Sequence, residues 1–155
     1  MGRVLNKVAI ITGAASGLGK ADAYRLAEEG AELVLTDINV QEGKRVAGEC
    51  KGNAIFFEQD VSSESSWPVL METTIAEFGR LDILVNNAGV ASMNHSLLTP
   101  ISTVRKIFDT NVIGTFLFSR EAAKLMKINK FGRIVNFTTV ATKLKLEGEA
   151  AYVAS

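Results

Sequence analysis

Cysteine, histidine and proline are nearly absent from this chain of 155 residues, which has one cysteine (Cys50), one histidine (His95) and two prolines. A single cysteine excludes an intrachain disulfide and a cysteine metal cluster. With one histidine, a zinc site of the usual ligand composition is excluded as well, so we predict no metal centre. A lone thiol is typical of a reducing compartment, and we predict a cytoplasmic protein.

The chain also lacks an excess of charge of either sign and any long apolar run. Lys plus Arg and Asp plus Glu number 17 each, so the formal net charge is zero. No global field therefore attracts nucleic acid or an anionic membrane surface. No run approaches the roughly 18 consecutive apolar residues that a membrane-spanning helix needs. We expect neither nucleic acid nor a membrane as a partner.

Glycines cluster where the first predicted strand ends. Residues 8–11 form an apolar run typical of a buried strand, and Gly13, Gly17 and Gly19 follow just before a helical pattern. Strand, glycine turn and helix in that order direct backbone N–H groups and the positive helix end at one point, which suits a phosphate or pyrophosphate. Gly13 would turn the chain, Gly17 would admit the ligand, and Gly19 would let the helix pack closely. The alternative is a glycine-rich turn with a structural role only.

Strand and helix patterns alternate along the whole chain. Strands are predicted over residues 8–11, 32–36, 54–57, 83–85 and 133–137. Helices are predicted from Gly19 to Gly30, over 40–51, from Ser62 or Ser63 to about 78, and over 101–127. This alternation predicts right-handed crossovers and a doubly wound parallel α/β sheet of strand order 3-2-1-4-5. We expect residues 1–155 to form a single domain.

Polar residues stand where the predicted strands end, at the edge where such sheets bind ligands. Asp37 follows the second strand, 18 residues after Gly19, and could accept both ribose hydroxyls of an adenosine while repelling a 2′-phosphate. Its alternative is a turn aspartate that ends the strand. Asp60, after the third strand, would lie beside the adenine or act as a turn residue ahead of a helix cap.

Asn111 falls on the apolar stripe of the long predicted helix, which recurs at helical spacing from Val104 to Met126. Its amide is therefore expected to be buried and hydrogen-bonded, because an unpaired buried amide costs free energy. A satisfied structural asparagine would fit this position. An asparagine on the core face opposite a cofactor loop nevertheless favours a functional role.

Six segments, in this order and at these spacings, resemble the short-chain dehydrogenase/reductase family: residues 12–19, 60–61, 86–89, 111, 132–136 and 152–155. The resemblance implies a Rossmann-like fold, a nicotinamide dinucleotide cofactor and hydride transfer between it and an alcohol or carbonyl. Residues 37–39 and 60–64 look like those of hydroxysteroid and secondary-alcohol dehydrogenases. Residues 132–155 look equally like those of oxoacyl-carrier-protein reductases.

The resemblance assigns catalytic roles to three residues. Tyr152 matches the tyrosine that protonates the carbonyl oxygen or deprotonates the alcohol, and Asn111 matches an asparagine that holds a water. Thr139 stands in place of the family's substrate-positioning serine and keeps a hydroxyl donor. The implied cofactor-binding residues are Gly13, Ser16, Gly17, Leu18, Gly19, Asp37, Asp60, Val61, Asn87, Ala88, Gly89 and Tyr152.

NAD is the predicted cofactor, because Asp37 would repel a 2′-phosphate and Ser16 stands where NADP-using relatives often carry arginine. The chain ends at Ser155, one residue short of the family's lysine, and lacks the family's last strands and substrate-covering segment. We therefore expect a C-terminally incomplete dinucleotide-binding domain, itself inactive, from an NAD-dependent oxidoreductase of an alcohol or ketone. The full-length enzyme is expected to be a homo-oligomer, a dimer or tetramer. The alternative is a dinucleotide-binding module without turnover, acting as a sensor or a non-catalytic subunit.

Overall fold

The computed structural model describes residues 2–155, in which strands and helices alternate. The five strands are β1 Val8–Thr12, β2 Glu32–Asp37, β3 Ala54–Glu58, β4 Ile83–Asn86 and β5 Arg133–Asn136. The α-helices are α1 Gly17–Glu28, α2 Val40–Glu49, α3 Trp67–Phe78, α4 Ile101–Phe108, α5 Thr115–Ile128, α6 Ala141–Leu144 and α7 Ala150–Val153. Short 3₁₀ turns cover Glu64–Ser66 and Ser96–Leu98, and a π-helical turn, Asp109–Gly114, joins α4 to α5.

The strands form one parallel sheet in the order β3-β2-β1-β4-β5, which confirms the predicted doubly wound fold. β1 lies in the centre, with Ile10 opposite Val34 of β2 and Leu84 of β4. All five residues of β1 are buried, as expected for a strand covered on both faces. The strand order reverses between β1 and β4, so the loops after these strands open at the topological switch point.

Alternate residues of the strands supply two separate cores. Ile11, Leu35 and Val85 face the side covered by α1 and α2, where Ala23 and Val46 pack against the sheet. Ile10, Val34 and Leu84 face the other side, where α3 and α5 bring in Trp67, Leu70, Phe118 and Ala122. Trp67 and Phe118 are fully buried, and their ring centroids lie 5.4 Å apart. Because successive side chains of each buried strand point to opposite faces of the sheet, apolar residues are available to pack against helices on both faces.

Two of the predicted helices differ from the structure. The long helical region predicted over residues 101–127 is present, but the π-helical turn divides it into α4 and α5. A π turn bonds i to i+5 and so shifts the apolar stripe, leaving Val112, a predicted stripe position, 37% exposed. Ser63, one of the two predicted caps, precedes a 3₁₀ turn, and the α-helix itself begins only at Trp67. Pro68 occupies the first turn of α3, where no N–H donor is needed.

β5 lies at the edge of the sheet and pairs only with β4 within residues 2–155. Ile134, Val135 and Phe137 are 38%, 45% and 46% exposed, although their side chains are apolar. Across the described residues, no helix is both long and apolar enough to span a bilayer.

Candidate active site

The glycine loop joins the end of β1 to the start of α1. Gly13 (φ +65°) and Gly17 (φ +55°) both use the left-handed backbone region that favours glycine. A Cβ on Gly13 would lie 2.9 Å from the Cα of Ala88, whereas one on Gly17 would meet no atom within 4 Å. Gly13 is thus fixed by close packing, and Gly17 faces open space beside the start of α1. A Cβ on Gly19 would overlap the carbonyl of Gly13, so Gly19 lets α1 approach the loop.

The glycine loop is held to the loop after β4 by Thr12 and Asn87. The Thr12 hydroxyl oxygen accepts from the N–H groups of Asn87 (3.1 Å) and Ala88 (3.0 Å). In return, Asn87 Nδ2 donates to the carbonyls of Thr12 and Gly13, each at 3.0 Å. These four bonds place the two loops of the switch point side by side. No role was predicted for Thr12, although its polar side chain ends an otherwise apolar strand.

Asp37 connects the end of β2 to the glycine loop. Its Oδ2 accepts from the Ala15 N–H at 3.0 Å, and its Oδ1 accepts from the Asn39 N–H at 2.9 Å. The bond from the Asn39 N–H fits the alternative stated for Asp37, an aspartate in the turn that ends the strand. The first contact was not foreseen, and it means that Asp37 also fixes the position of the loop that precedes α1.

Asp60 and Val61 lie at the end of β3, and both face the same open cavity as Asp37. The Asp60 Oδ1 accepts from the backbone N–H of Ser62 (2.9 Å) and from its hydroxyl (2.7 Å). Asp60 therefore fills its alternative role as a turn residue, with its side chain exposed at the cavity. Gln59, which lines this cavity and is 3% exposed, keeps its Oε1 without a hydrogen-bond partner among residues 2–155.

A cavity of about 450 Å³ brings together ten of the twelve residues predicted to bind cofactor. The other two residues do not line this cavity: Gly19 packs against the Gly13 carbonyl, and Tyr152 lines a different cavity. Five lining residues were not predicted from the sequence: Ile38, Gln59, Val90, Lys106 and Thr110. Lys106 and Thr110 come from α4 and the π turn, and nothing in the sequence indicated that this helix reaches the cavity.

A second cavity, of about 650 Å³, contains the three residues predicted to be catalytic: Asn111, Thr139 and Tyr152. It shares Asn87, Ala88 and Gly89 with the first cavity, so the two cavities meet along the loop after β4. One wall carries a polar cluster in which Asn86 Nδ2 donates to Asn136 Oδ1 (2.8 Å) and to Ser119 Oγ (3.0 Å). This cluster was not predicted from the sequence.

Asn111 is half-buried rather than buried, and its amide is hydrogen-bonded as predicted. Val90 N–H donates to Asn111 Oδ1 at 2.9 Å, and Asn111 Nδ2 donates to the Val90 carbonyl at 3.0 Å. Nδ2 also donates to Ser155 Oγ at 2.9 Å. The π turn thus points Asn111 toward the loop after β4 and the residue that follows the end of the final helix.

Thr139 and Tyr152 face the second cavity from opposite ends of the segment after β5. The Thr139 hydroxyl accepts from the Ala141 N–H at 3.1 Å and remains able to donate its own proton. The Tyr152 hydroxyl has no hydrogen-bond partner among the described residues. The segment between them is tied to the loop after β4 by a 2.9 Å bond from the Asn94 N–H to the Gly148 carbonyl. Two hydroxyl groups and an amide therefore face one cavity beside the glycine-loop cavity.

Known proteins match this chain over almost its whole length. A family model described as short chain dehydrogenase matches residues 7–155. A cyclopentanol dehydrogenase of Comamonas testosteroni is 37% identical over all of this chain and 63% of its own length. A diacetyl reductase ((S)-acetoin forming) of Staphylococcus epidermidis is 38% identical over 97% of this chain and 60% of its own length.

A 3-alpha-(or 20-beta)-hydroxysteroid dehydrogenase of Mycobacterium tuberculosis is 35% identical over 90% of this chain and 54% of its own length. The chain therefore spans between about half and two thirds of the length of these relatives. Their names agree with the resemblance to secondary-alcohol and hydroxysteroid dehydrogenases that the sequence motifs indicated. The sheet order, the glycine loop and these matches together show that the chain belongs to the short-chain dehydrogenase family.

Proposed function

We propose that this protein is an NAD-dependent oxidoreductase that transfers a hydride between NAD(H) and an alcohol or ketone. One observation carries the proposal. A glycine-loop cavity that also contains Asp37 adjoins, through Asn87–Gly89, a cavity containing Asn111, Thr139 and Tyr152. A dinucleotide laid across the shared loop would place its adenosine half in the first cavity and its nicotinamide in the second.

The residues of the first cavity fit a dinucleotide. The space beside Gly17 is free of protein atoms, and the N–H groups of the first turn of α1 have no partners within the helix. Ser16, at the N-cap, makes no side-chain capping bond, so its hydroxyl is available to a phosphate oxygen. An anionic pyrophosphate beside these groups would be stabilised by the helix dipole as well as by hydrogen bonds.

The preference for NAD over NADP rests on Asp37. Its carboxylate lines the cavity one strand away from the glycine loop, where a ribose would lie if the pyrophosphate bound at Gly17. A 2′-phosphate there would meet a like charge in a partly desolvated site. Repulsion of a few kcal/mol corresponds to at least about tenfold discrimination.

The chemistry at the second cavity would be proton transfer and orientation. The nicotinamide, when bound, supplies or accepts the hydride. The Tyr152 hydroxyl would give its proton to the carbonyl oxygen or take the proton of the alcohol. Thr139 would donate a hydrogen bond to the same oxygen, and Asn111 would hold a water near Tyr152.

The remaining sequence-based expectations stay proposals. The relatives' names point to small secondary alcohols, diketones and hydroxysteroids as substrates of those proteins. We propose a small-molecule alcohol or ketone as the substrate here. A single dinucleotide-binding domain over residues 1–155, a homo-oligomeric full-length protein and a cytoplasmic location remain predictions of the same kind.

The test is a fluorescence titration of the full-length protein with NADH and with NADPH, followed by a turnover assay. We expect NADH to bind at least about tenfold more tightly than NADPH. Asp37→Asn should reduce this difference in affinity between the two cofactors. Glu58→Gln is the matched control, because Glu58 pairs with Asp37 in the sheet but does not line the cavity. Tighter NADPH binding would contradict the NAD assignment, and NADH binding without turnover of any alcohol or ketone would favour the non-catalytic alternative.

A further inference from the structure

One basic side chain lines the glycine-loop cavity among the described residues, and it belongs to α4. Lys106 lines the cavity together with the carboxylates Asp37 and Asp60. Its ammonium forms no ion pair within residues 2–155. The cavity that would receive an anionic dinucleotide therefore has two negative side chains and one unpaired positive one.

The position of Lys106 along the cavity can be read from its neighbours. Asp60, Lys106 and Thr110 also line a smaller adjoining cavity of about 370 Å³, whereas no residue of the glycine loop does. Lys106 therefore lies at the Asp60 end of the glycine-loop cavity. Thr110 is four residues further along the chain, so both side chains reach this end from neighbouring helical turns.

We propose that Lys106 binds the adenine of the dinucleotide by donating a hydrogen bond to a ring nitrogen. This inference rests on the proposed function, which places the adenosine half in this cavity. An adenine edge presents an amine, which is a donor, next to ring nitrogens, which are acceptors. Asp60 and Lys106 offer an acceptor and a donor at the same end of the cavity, so together they complement that edge.

Arg105 provides a matched control for Lys106. It is adjacent in the chain, also exposed and also without an ion pair among the described residues, but it lines only the smaller cavity. Arg105→Met and Lys106→Met remove the same charge from the same helical turn. A general electrostatic attraction would respond to both substitutions, whereas a contact with the base would respond only to the second.

The experiment measures binding of NADH, AMP, adenosine and nicotinamide mononucleotide to the full-length protein and its variants. We expect Lys106→Met to weaken NADH, AMP and adenosine binding about three- to tenfold. Nicotinamide mononucleotide binding and the thermal unfolding midpoint should be unchanged. Lys106→Arg, which keeps a donor and the charge, should restore most of the affinity, and Arg105→Met should change affinity less than about twofold.

Three results would overturn the inference. Equal weakening by Arg105→Met would show a long-range charge effect only. Loss of AMP affinity with unchanged adenosine affinity would move the contact from the base to the phosphate. Unchanged NADH affinity in Lys106→Met would show no contact at all. Failure of the wild-type protein to bind NADH would instead contradict the proposed function, so the two failures are distinguishable.

Discussion

Asn111 and Val90 form a reciprocal pair in which the asparagine side chain bonds to both backbone groups of the valine, at 2.9 and 3.0 Å. The pair joins the π turn of the long helix to the loop that separates the two cavities. In a regular α-helix, the side chains after position 108 would point in different directions around the helix axis. The π turn thus lets a residue of the apolar stripe bond to the loop, and π turns often occur at functional sites.

Replacing Asn111 with aspartate should keep one of the two hydrogen bonds to Val90 and abolish the other. Asn111→Asp keeps an acceptor for the Val90 N–H but loses the donors to the Val90 carbonyl and to Ser155 Oγ. We expect a loss of about 1–3 kcal/mol in the free energy of unfolding, because a carboxylate then faces a carbonyl oxygen. Urea unfolding measures the change. Asn129→Asp, in an exposed position after α5, is the control, and equal small effects of both substitutions would contradict the role of the pair.

The sheet could be predicted almost completely from the sequence, and each observed strand begins where it was predicted. The strands ending in Thr12, Asp37, Glu58 and Asn86 run one residue further than predicted. Apolar runs of β-branched residues define strand interiors, but a polar last residue gives no periodic signal. The order of the sheet followed from the alternation of strands and helices and from the place of the glycine loop.

The site could be predicted where a local motif carries it, and not where it depends on contacts distant in sequence. Gly13, Asp37 and Asn87 belong to motifs next to strand ends, which the sequence displays, and all three line the first cavity. Their binding of a cofactor stays a prediction. Lys106 and Thr110 reach the cavity only because α4 packs beside it, and Thr12 acts through two loops more than 70 residues apart. The π turn went unpredicted because residues 101–127 contain no proline and read as a continuous stripe.

Thr139 provides a test of substrate positioning in the second cavity. Thr139→Val removes the hydroxyl at nearly constant shape, so it loses both the proposed bond to substrate and the observed bond from the Ala141 N–H. We expect kcat of the full-length enzyme to fall about tenfold to a thousandfold, as for loss of one donor to the reacting oxygen. NADH affinity should stay unchanged.

Thr139→Ser is the control for that substitution, because it keeps the hydroxyl, and it should retain activity. Unchanged turnover in Thr139→Val would show that the residue serves only to start α6. A parallel loss of NADH affinity would show a general disturbance of the site instead.

Glu29 makes the stability of this fold depend on pH. Its buried carboxylate accepts from the N–H groups of Gly2 (2.8 Å) and Arg3 (3.1 Å), and Arg25 donates to it at 2.7 Å. The Arg3 N–H, followed by the Gly2 N–H and the Arg25 guanidinium, lowers the pKa of Glu29 although burial opposes the shift. A carboxyl whose pKa is lower in the folded state stabilises above its unfolded pKa, near 4.3, and loses that contribution as the pH falls through the folded value.

Glu29→Gln should therefore lower the free energy of unfolding at neutral pH, and the difference from wild type should shrink on acidification below about pH 4. Urea denaturation at several pH values measures this dependence. Glu28→Gln is the matched control, since Glu28 is exposed and contacts only Arg25, at 3.4 Å. A Glu29→Gln effect that is the same at pH 3 and pH 7 would contradict the ionic explanation.

Turnover by the full-length protein and its Tyr152→Phe variant tests the proposed chemistry most directly. Each protein is incubated with NAD and a panel of secondary alcohols, and formation of the reduced nicotinamide is followed by its near-ultraviolet absorbance. The proposal predicts measurable oxidation by the wild type. It also predicts a loss of at least about a hundredfold in Tyr152→Phe, because the transferable proton is removed. Oxidation at the same rate by both proteins would contradict the assignment of Tyr152 and of the second cavity as the active site.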